Sequence, residues 1–248
     1  MSASHSVDKT EVSTHGAARD AELLEAMTHR YAQPLTLYAR SSTLARIEDA
    51  DALMKSFWAQ QLARPLMINE WRESGLALRR WLVHQLLIHA RARLCELHID
   101  SSEQEQCNDC GGCACANAST TSTTSATTCA TKCPTSSTPL PLEPHAFEHF
   151  ERAWSRAMMN AACSIAQAAL DSSDDAAAWN AFRLHFLEGN EYAALSQQLG
   201  LTVAAARINA RRAHERVDGA LRQLLRDEGV ADEDVNDELA WLIEVSKR

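Results

Sequence analysis

The stretch Glu191-Tyr-Ala-Ala-Leu-Ser-Gln-Gln-Leu-Gly200-Leu-Thr-Val-Ala-Ala-Ala-Arg-Ile-Asn-Ala-Arg-Arg212 decides how this chain is read. Tyr192, Leu195 and Leu199 recur at three- and four-residue spacing, the apolar stripe of a short helix. Gly200 accepts a positive φ without steric cost, which a tight turn between helices requires. Thr202 is placed to cap the helix that follows. Ala205, Ala206, Ile208 and Val217 predict that helix's buried face, and small residues there let two helices cross closely. Arg207, Arg211 and His214 are then left outward, with Arg212 and Arg216 beside them. The pattern predicts a helix-turn-helix, whose second helix enters a major groove and uses arginine to read guanine or hold phosphate. From 203 to 226 six arginines stand against Glu215 and Asp218, a local charge of +4. A basic, solvated face on an ordinary helical hairpin is the competing reading of the same residues.

Outside that stretch the charge balance reverses. The 248 residues sum to −9, a total that by itself argues against a nucleic-acid ligand. Resolved along the chain, residues 1–100 are neutral, and eight acids follow Arg226: Asp227, Glu228, Asp232, Glu233, Asp234, Asp237, Glu238 and Glu244. The stretches Arg72–Arg93 and Arg207–Arg226 are locally basic, and clustered positive charge on a helix supplies phosphate contacts whatever the total. No run of about 18 apolar residues occurs, which excludes a membrane span. The first twenty residues lack the apolar core of a secretory leader, so a cytoplasmic location is expected. Eight glycines, six prolines and 6% aromatics disfavour a β-sandwich or barrel.

The rest of the chain reads as helix around a low-complexity middle. Residues 1–18 are Ser/Thr/His-rich and expected to be disordered. Over 19–98, Leu23, Leu24, Met27 and Tyr31 form one stripe, Pro34 interrupts it, and Leu35 and Tyr38 resume it. A second helix near 48–63 is expected to bury Leu53, Phe57 and Leu62. A third, near 76–97, aligns Leu78, Leu82, Leu86, Ala90, Leu94 and Leu97. Residues 99–145 are a Cys-, Ser-, Thr- and Pro-rich linker. Helical spacing returns over 146–228 with Phe147, Phe150, Trp154, Met158 and Ile165, then with Ala178, Phe182 and Phe186. A last acidic helix over 229–248 carries Val235, Leu239, Leu242 and Val245. The expected fold is all-α: two helical domains on a linker, with a C-terminal helix-turn-helix.

Three stretches carry a family resemblance. They are Arg30-Tyr-Ala-Gln-Pro-Leu-Thr-Leu-Tyr-Ala-Arg40, Glu48-Asp-Ala-Asp-Ala-Leu-Met-Lys-Ser-Phe-Trp58 and the Tyr192–Arg212 helix pair. In this order and spacing the chain resembles the ECF-type sigma factors of bacterial RNA polymerase, over residues 20–98 and 146–246. The first two stretches are similar to region two of that family, and the third to region four. The resemblance implies a non-enzymatic subunit that directs promoter recognition and transcription initiation. It implies docking on core RNA polymerase through Asp49, Asp51, Leu53, Met54 and Phe57. It implies −10 recognition by the basic stretch carrying Arg72, Arg79, Arg80 and Trp81, where tryptophan would stack on unpaired bases, although Trp71 or Trp81 taken alone reads first as core packing. It implies −35 recognition by Thr202, Arg207, Arg211, Arg212 and His214. Promoter DNA, core polymerase and an anti-sigma factor are the partners it suggests, with no membrane and no required cofactor. Two departures stand out: Asn69–Leu82 differs from the family's −10 stretch, and Glu215, Asp218 and Gly219 replace basic, helix-favouring residues.

Six of the eight cysteines lie in the linker. Cys107, Cys110, Cys113 and Cys115 read C-x2-C-x2-C-x-C, and Cys129 and Cys133 follow. In a cytosolic chain such a cluster suits zinc or copper, or redox sensing, as well as a merely biased composition. Cys95 and Cys163 read as buried apolar residues, and His145 and His149 as surface residues at a helix start. No nucleophile–base arrangement is legible among the scattered histidines. Two alternatives stand beside the sigma-factor reading: a stand-alone helix-turn-helix regulator, and a metal- or redox-responsive protein acting through the linker.

Overall fold

A computed structural model describes residues 9–64, 66–100, 139–173 and 175–247. Among these residues all regular structure is helical and no strand occurs, so the all-α class is as expected. The chain forms two compact units, Met1–Phe150 and Glu151–Arg248.

The first unit begins with α1 (Lys9–Ser41), which starts inside the segment expected to be disordered and runs on through Pro34. Proline within a helix loses one hydrogen bond and crowds the carbonyl four residues back, costing about 3 kcal/mol. Met27, Tyr31, Leu35 and Tyr38 on one face are all essentially inaccessible to solvent. Burying one such side chain contributes about 1.5–3 kcal/mol, so their packing outweighs the break. A 3₁₀ turn (Thr43–Arg46), α2 (Ala50–Leu62), α3 (Met67–Ser74) and α4 (Leu78–Asp100) follow. Gly75 ends α3 at φ 66°, a conformation that other residues adopt only at a cost.

Phe57, Leu53, Trp71, Leu78, Trp81, Leu82, Leu86 and Ala90 are buried in this unit. Leu62, expected inside, is 51% exposed; Leu94 is half-buried and Leu97 exposed, so the α4 stripe leaves the core after Ala90. Buried His89 is held at both ring nitrogens, with Nε2 2.9 Å from Ser56 Oγ and Nδ1 2.6 Å from Gln60 Oε1. Burial pushes its pKa down, and the positive charge of Arg93 adds to the effect.

Chain beyond the Ser/Thr-rich tract returns to this unit. Leu140 N–H donates to Leu87 O at 3.4 Å. The Glu143 carboxylate accepts from Thr43 N–H at 2.8 Å and from Thr43 Oγ1 at 2.6 Å. Glu143 N–H donates to Tyr38 Oη at 3.4 Å. Burial, with the Glu143 carboxylate as a lesser cause, holds the Tyr38 phenol above its usual pKa.

The remaining helices are α5 (Pro144–Ser172), which crosses the boundary between units, α6 (Ala176–Phe182), α7 (Tyr192–Leu199), α8 (Val203–Asp227) and α9 (Val235–Ser246). On α5 the buried line is Ala146, Phe150, Trp154, Met158, Ala162, Ala166 and Leu170; Ile165, expected on it, is 47% exposed. A π turn at Arg183–Leu187 follows α6 directly. Its wider winding changes the phase of the side chains, so Phe186 is 46% exposed instead of aligned with Ala178 and Phe182. The acidic C-terminal helix is part of the second unit's core. Val235, Leu239, Leu242 and Val245 are buried, and Ser155 Oγ donates to Leu242 O at 3.2 Å. Trp154 Nε1 donates to Glu228 Oε2 at 3.2 Å, and the Trp154 ring lies 6.0 Å from that of Trp241.

Candidate nucleic-acid interface

Helices α7 and α8 cross on small side chains. Ala206 and Ala210 are fully buried against Ala181, Leu184 and Leu195, with Tyr192 and Leu199 packed at the edge of the cluster. Gly200 turns the chain at φ 64°, and the Leu201 N–H donates to Ser196 O at 3.0 Å. Thr202 Oγ1 accepts from Ala205 N–H at 3.1 Å, so the cap is where the sequence predicts it. The inward line of α8 is Ala206, Ala210, Ala213, Val217 and Leu221, a stride of three or four. That phase turns Ile208 to the surface at 59% exposure and leaves Ala205 half-buried, which corrects the expectation that Ile208 faces the core.

Arg207, Arg211, Arg212, His214 and Arg216 are all exposed, as expected. Arg207 lies 5.3 Å from the centre of the Tyr192 ring, a cation–π distance. Arg211 pairs with Glu215 at 3.0 Å and Arg212 with Asp175 at 2.6 Å. Farther along α8, Arg222 pairs with Asp218 at 2.7 Å and Arg226 with Asp232 at 2.6 Å. Among the described residues, Arg207 and Arg216 have no acidic partner. Exposed pairs of this kind are worth about 0–1 kcal/mol, so a phosphate can take the acid's place. Glu215 and Asp218 nonetheless compete with any polyanion for two of the six arginines.

The His214 ring lies 5.0 Å from Phe186 and 6.5 Å from Phe182. His185 stacks on Tyr192 at 3.9 Å, and its Nδ1–H donates to Asn190 O at 2.9 Å. This aromatic cluster braces the turn before α7. Sequence reasoning missed it, because the π turn that gathers Phe186 and His185 removes the periodicity that would have signalled it.

The −10 candidates do not share a surface. Arg72 and Arg80 are exposed, but Arg79 is only 7% exposed and Trp81 3%, and both lie in the core. Trp71 is buried too, its Nε1–H donating to Leu76 O at 3.0 Å. Arg93 is occupied by Glu48 at 3.2 Å and Glu96 at 2.5 Å. Burial of Trp71 and Trp81 agrees with the core-packing reading, and stacking on an extruded base would require Trp81 to leave that packing.

On α2 the polymerase-contact candidates divide into a buried apolar set and two acids at the helix start. Leu53, Met54 and Phe57 are at most 5% exposed. They are the helix's apolar side, already spent on its own unit. Asp49 is the N-cap, accepting from Asp51 N–H at 3.0 Å and Ala52 N–H at 3.2 Å. Asp51 takes Arg40 on both carboxylate oxygens at 2.8 Å.

Cys107, Cys110, Cys113 and Cys115 lie outside the described residues, as do Cys129 and Cys133. Among the described residues no group of three or more His, Cys, Asp or Glu could hold a metal ion. Cys95 and Cys163 are half-buried, and burial raises the Cys163 thiol's pKa. No helix among the described residues is long and apolar enough to cross a membrane. The chain matches no protein-family model, no curated protein and no solved structure.

Proposed function

We propose that this chain is a sigma-type transcription-initiation subunit whose α7–α8 pair engages promoter duplex DNA. The observation that supports it most is the crossing at Ala206 and Ala210, turned at Gly200 and capped by Thr202, beneath an exposed face bearing Arg207 and Arg211. A helix presented this way offers guanidinium groups to guanine or phosphate, and exposed Val203 and Ile208 offer apolar contact to thymine methyls. Transcription reconstituted with core RNA polymerase tests the proposal. Promoter-dependent transcripts that require this chain are expected; failure to associate with core polymerase would overturn the sigma reading.

A second reading, a stand-alone helix-turn-helix regulator, is favoured by the burial of Leu53, Met54 and Phe57. With those side chains inside, α2 offers mainly small and polar groups to a partner. Specific duplex binding that core polymerase leaves unchanged supports this alternative.

A further inference from the structure

Helix α5 opens with Pro144-His-Ala-Phe-Glu-His149. Residues four apart on a helix lie on one face, so His145 and His149 are neighbours. Their Nε2 atoms are 3.3 Å apart, while the ring centroids are 4.7 Å apart with planes at 80°. The nitrogens are closer than the ring centres, so the two rings meet by their nitrogen edges. As an N–H···N hydrogen bond this contact is long. As the bite of a metal chelate it fits: with metal–imidazole bonds of about 2.0–2.1 Å, a 3.3 Å separation subtends roughly 107°, close to tetrahedral.

We propose that His145 and His149 form a two-histidine chelate for a divalent transition-metal ion of the zinc, nickel or copper(II) class. Imidazole suits all three ions. The pair is held ready before any ion arrives. Proline at the first helical position presets the backbone, and Ala146 and Phe150 of the same turns are fully buried. Glu143, next to Pro144, is tied to Thr43 and Tyr38. His145 is exposed and His149 half-buried, so an ion reaches the pair from solvent. The helix dipole at this end acts against a cation, and the Glu148 carboxylate between the two ligands in sequence acts for it. The order His-x-x-Glu-His is also that of the zinc-bearing helix in one class of metallopeptidases. With no third ligand among the described residues, water completes the coordination, and the proposal is ion capture without a hydrolytic step. It does not depend on the DNA-binding reading.

The test uses the full chain with its thiols alkylated by iodoacetamide, so that the cysteines do not compete. Nickel(II) is titrated calorimetrically into this protein and into identically treated His145→Ala and His149→Ala chains. The unsubstituted chain is expected to bind one nickel ion that each variant binds at least tenfold more weakly. The double variant is expected to be no weaker than either single one, because losing one imidazole already breaks the chelate. His145→Gln, a polar replacement at an exposed position, checks that the loss is not a folding defect, with circular dichroism confirming unchanged helicity. Equal nickel affinity in the unsubstituted and His145→Ala chains, or no nickel binding by the unsubstituted chain, would overturn the proposal.

Discussion

Helices α4 and α8 have the same kind of residues and use them in opposite ways. Four arginines lie on α4 and six on α8, and both helices follow short connections from a shorter helix. On α8 the buried residues keep to one stripe of Ala206, Ala210, Ala213, Val217 and Leu221, so every arginine is turned to solvent or to the stripe's margin. On α4 burial extends round the helix: Leu78, Leu82 and Leu86 are inside, and so are Arg79, Trp81, Val83 and Leu87. A helix covered on one side displays its charges, whereas one covered on several sides must take some of them in. Positive charge in a sequence is therefore a binding surface only where the opposite face is small, apolar and sufficient.

The sharpest way to break this comparison is at Trp81. Trp81→Ala is expected to destabilise the protein by about 3–5 kcal/mol in urea unfolding, because it empties a core site. Unchanged stability with lost affinity for single-stranded DNA would instead place that side chain on a binding surface. The next test concerns the small residues of α8. Ala210→Leu is expected to cost about 1–3 kcal/mol by overpacking the α7–α8 crossing. If it costs nothing, the crossing is looser than the burial of Ala210 implies. The third separates charge from packing. Arg207→Ala with Arg211→Ala is expected to lower duplex DNA affinity about tenfold or more and to flatten its salt dependence, with stability within about 0.5 kcal/mol. An unchanged salt slope would remove α8 from the interface. Thr202→Ala is expected to lose about 1 kcal/mol of stability as the cap is deleted, and Thr202→Ser to retain most of it.

The smallest expected effect sharpens the α4 side through pH. His89 has its folded-state pKa pushed below the ordinary value near 6.5, first by burial. The unfolded chain takes up its proton near pH 6.5, and the folded one resists until lower pH. This contribution is therefore complete above about pH 6.5 and is lost as pH falls toward the folded pKa. The unfolding free energy should decline between pH 7 and pH 5, and less steeply in His89→Gln. Equal slopes would mean that another group carries the dependence.

Much of the second unit was legible because its signals are local. The Gly200 turn, the Thr202 cap and the Leu195 stripe involve groups within about four residues of one another, and all lie where the sequence places them. A count of apolar residues places Ile208 inside, but Ala206 and Ala210 set the phase of the helix and turn it out. Phe186 departs from the expected alignment because a π turn has no signature in a 3.6-residue pattern. In the first unit, Leu53, Met54 and Phe57 could be read as core or as contact surface, and only their burial separates the two.

By itself, the sequence determined the all-α class, the capped turn that joins α7 to α8, and which residues of that pair carry charge. Those properties follow from hydrophobic period, from the φ that glycine tolerates and from short-range hydrogen bonds. Tertiary structure alone decided that α1 continues through Pro34, that Arg79 and Trp81 turn inward, that the acidic last helix joins a core, and that Glu143 reaches back to Thr43. Each of these depends on what covers a side chain, and the covering residues lie tens of residues away in the chain.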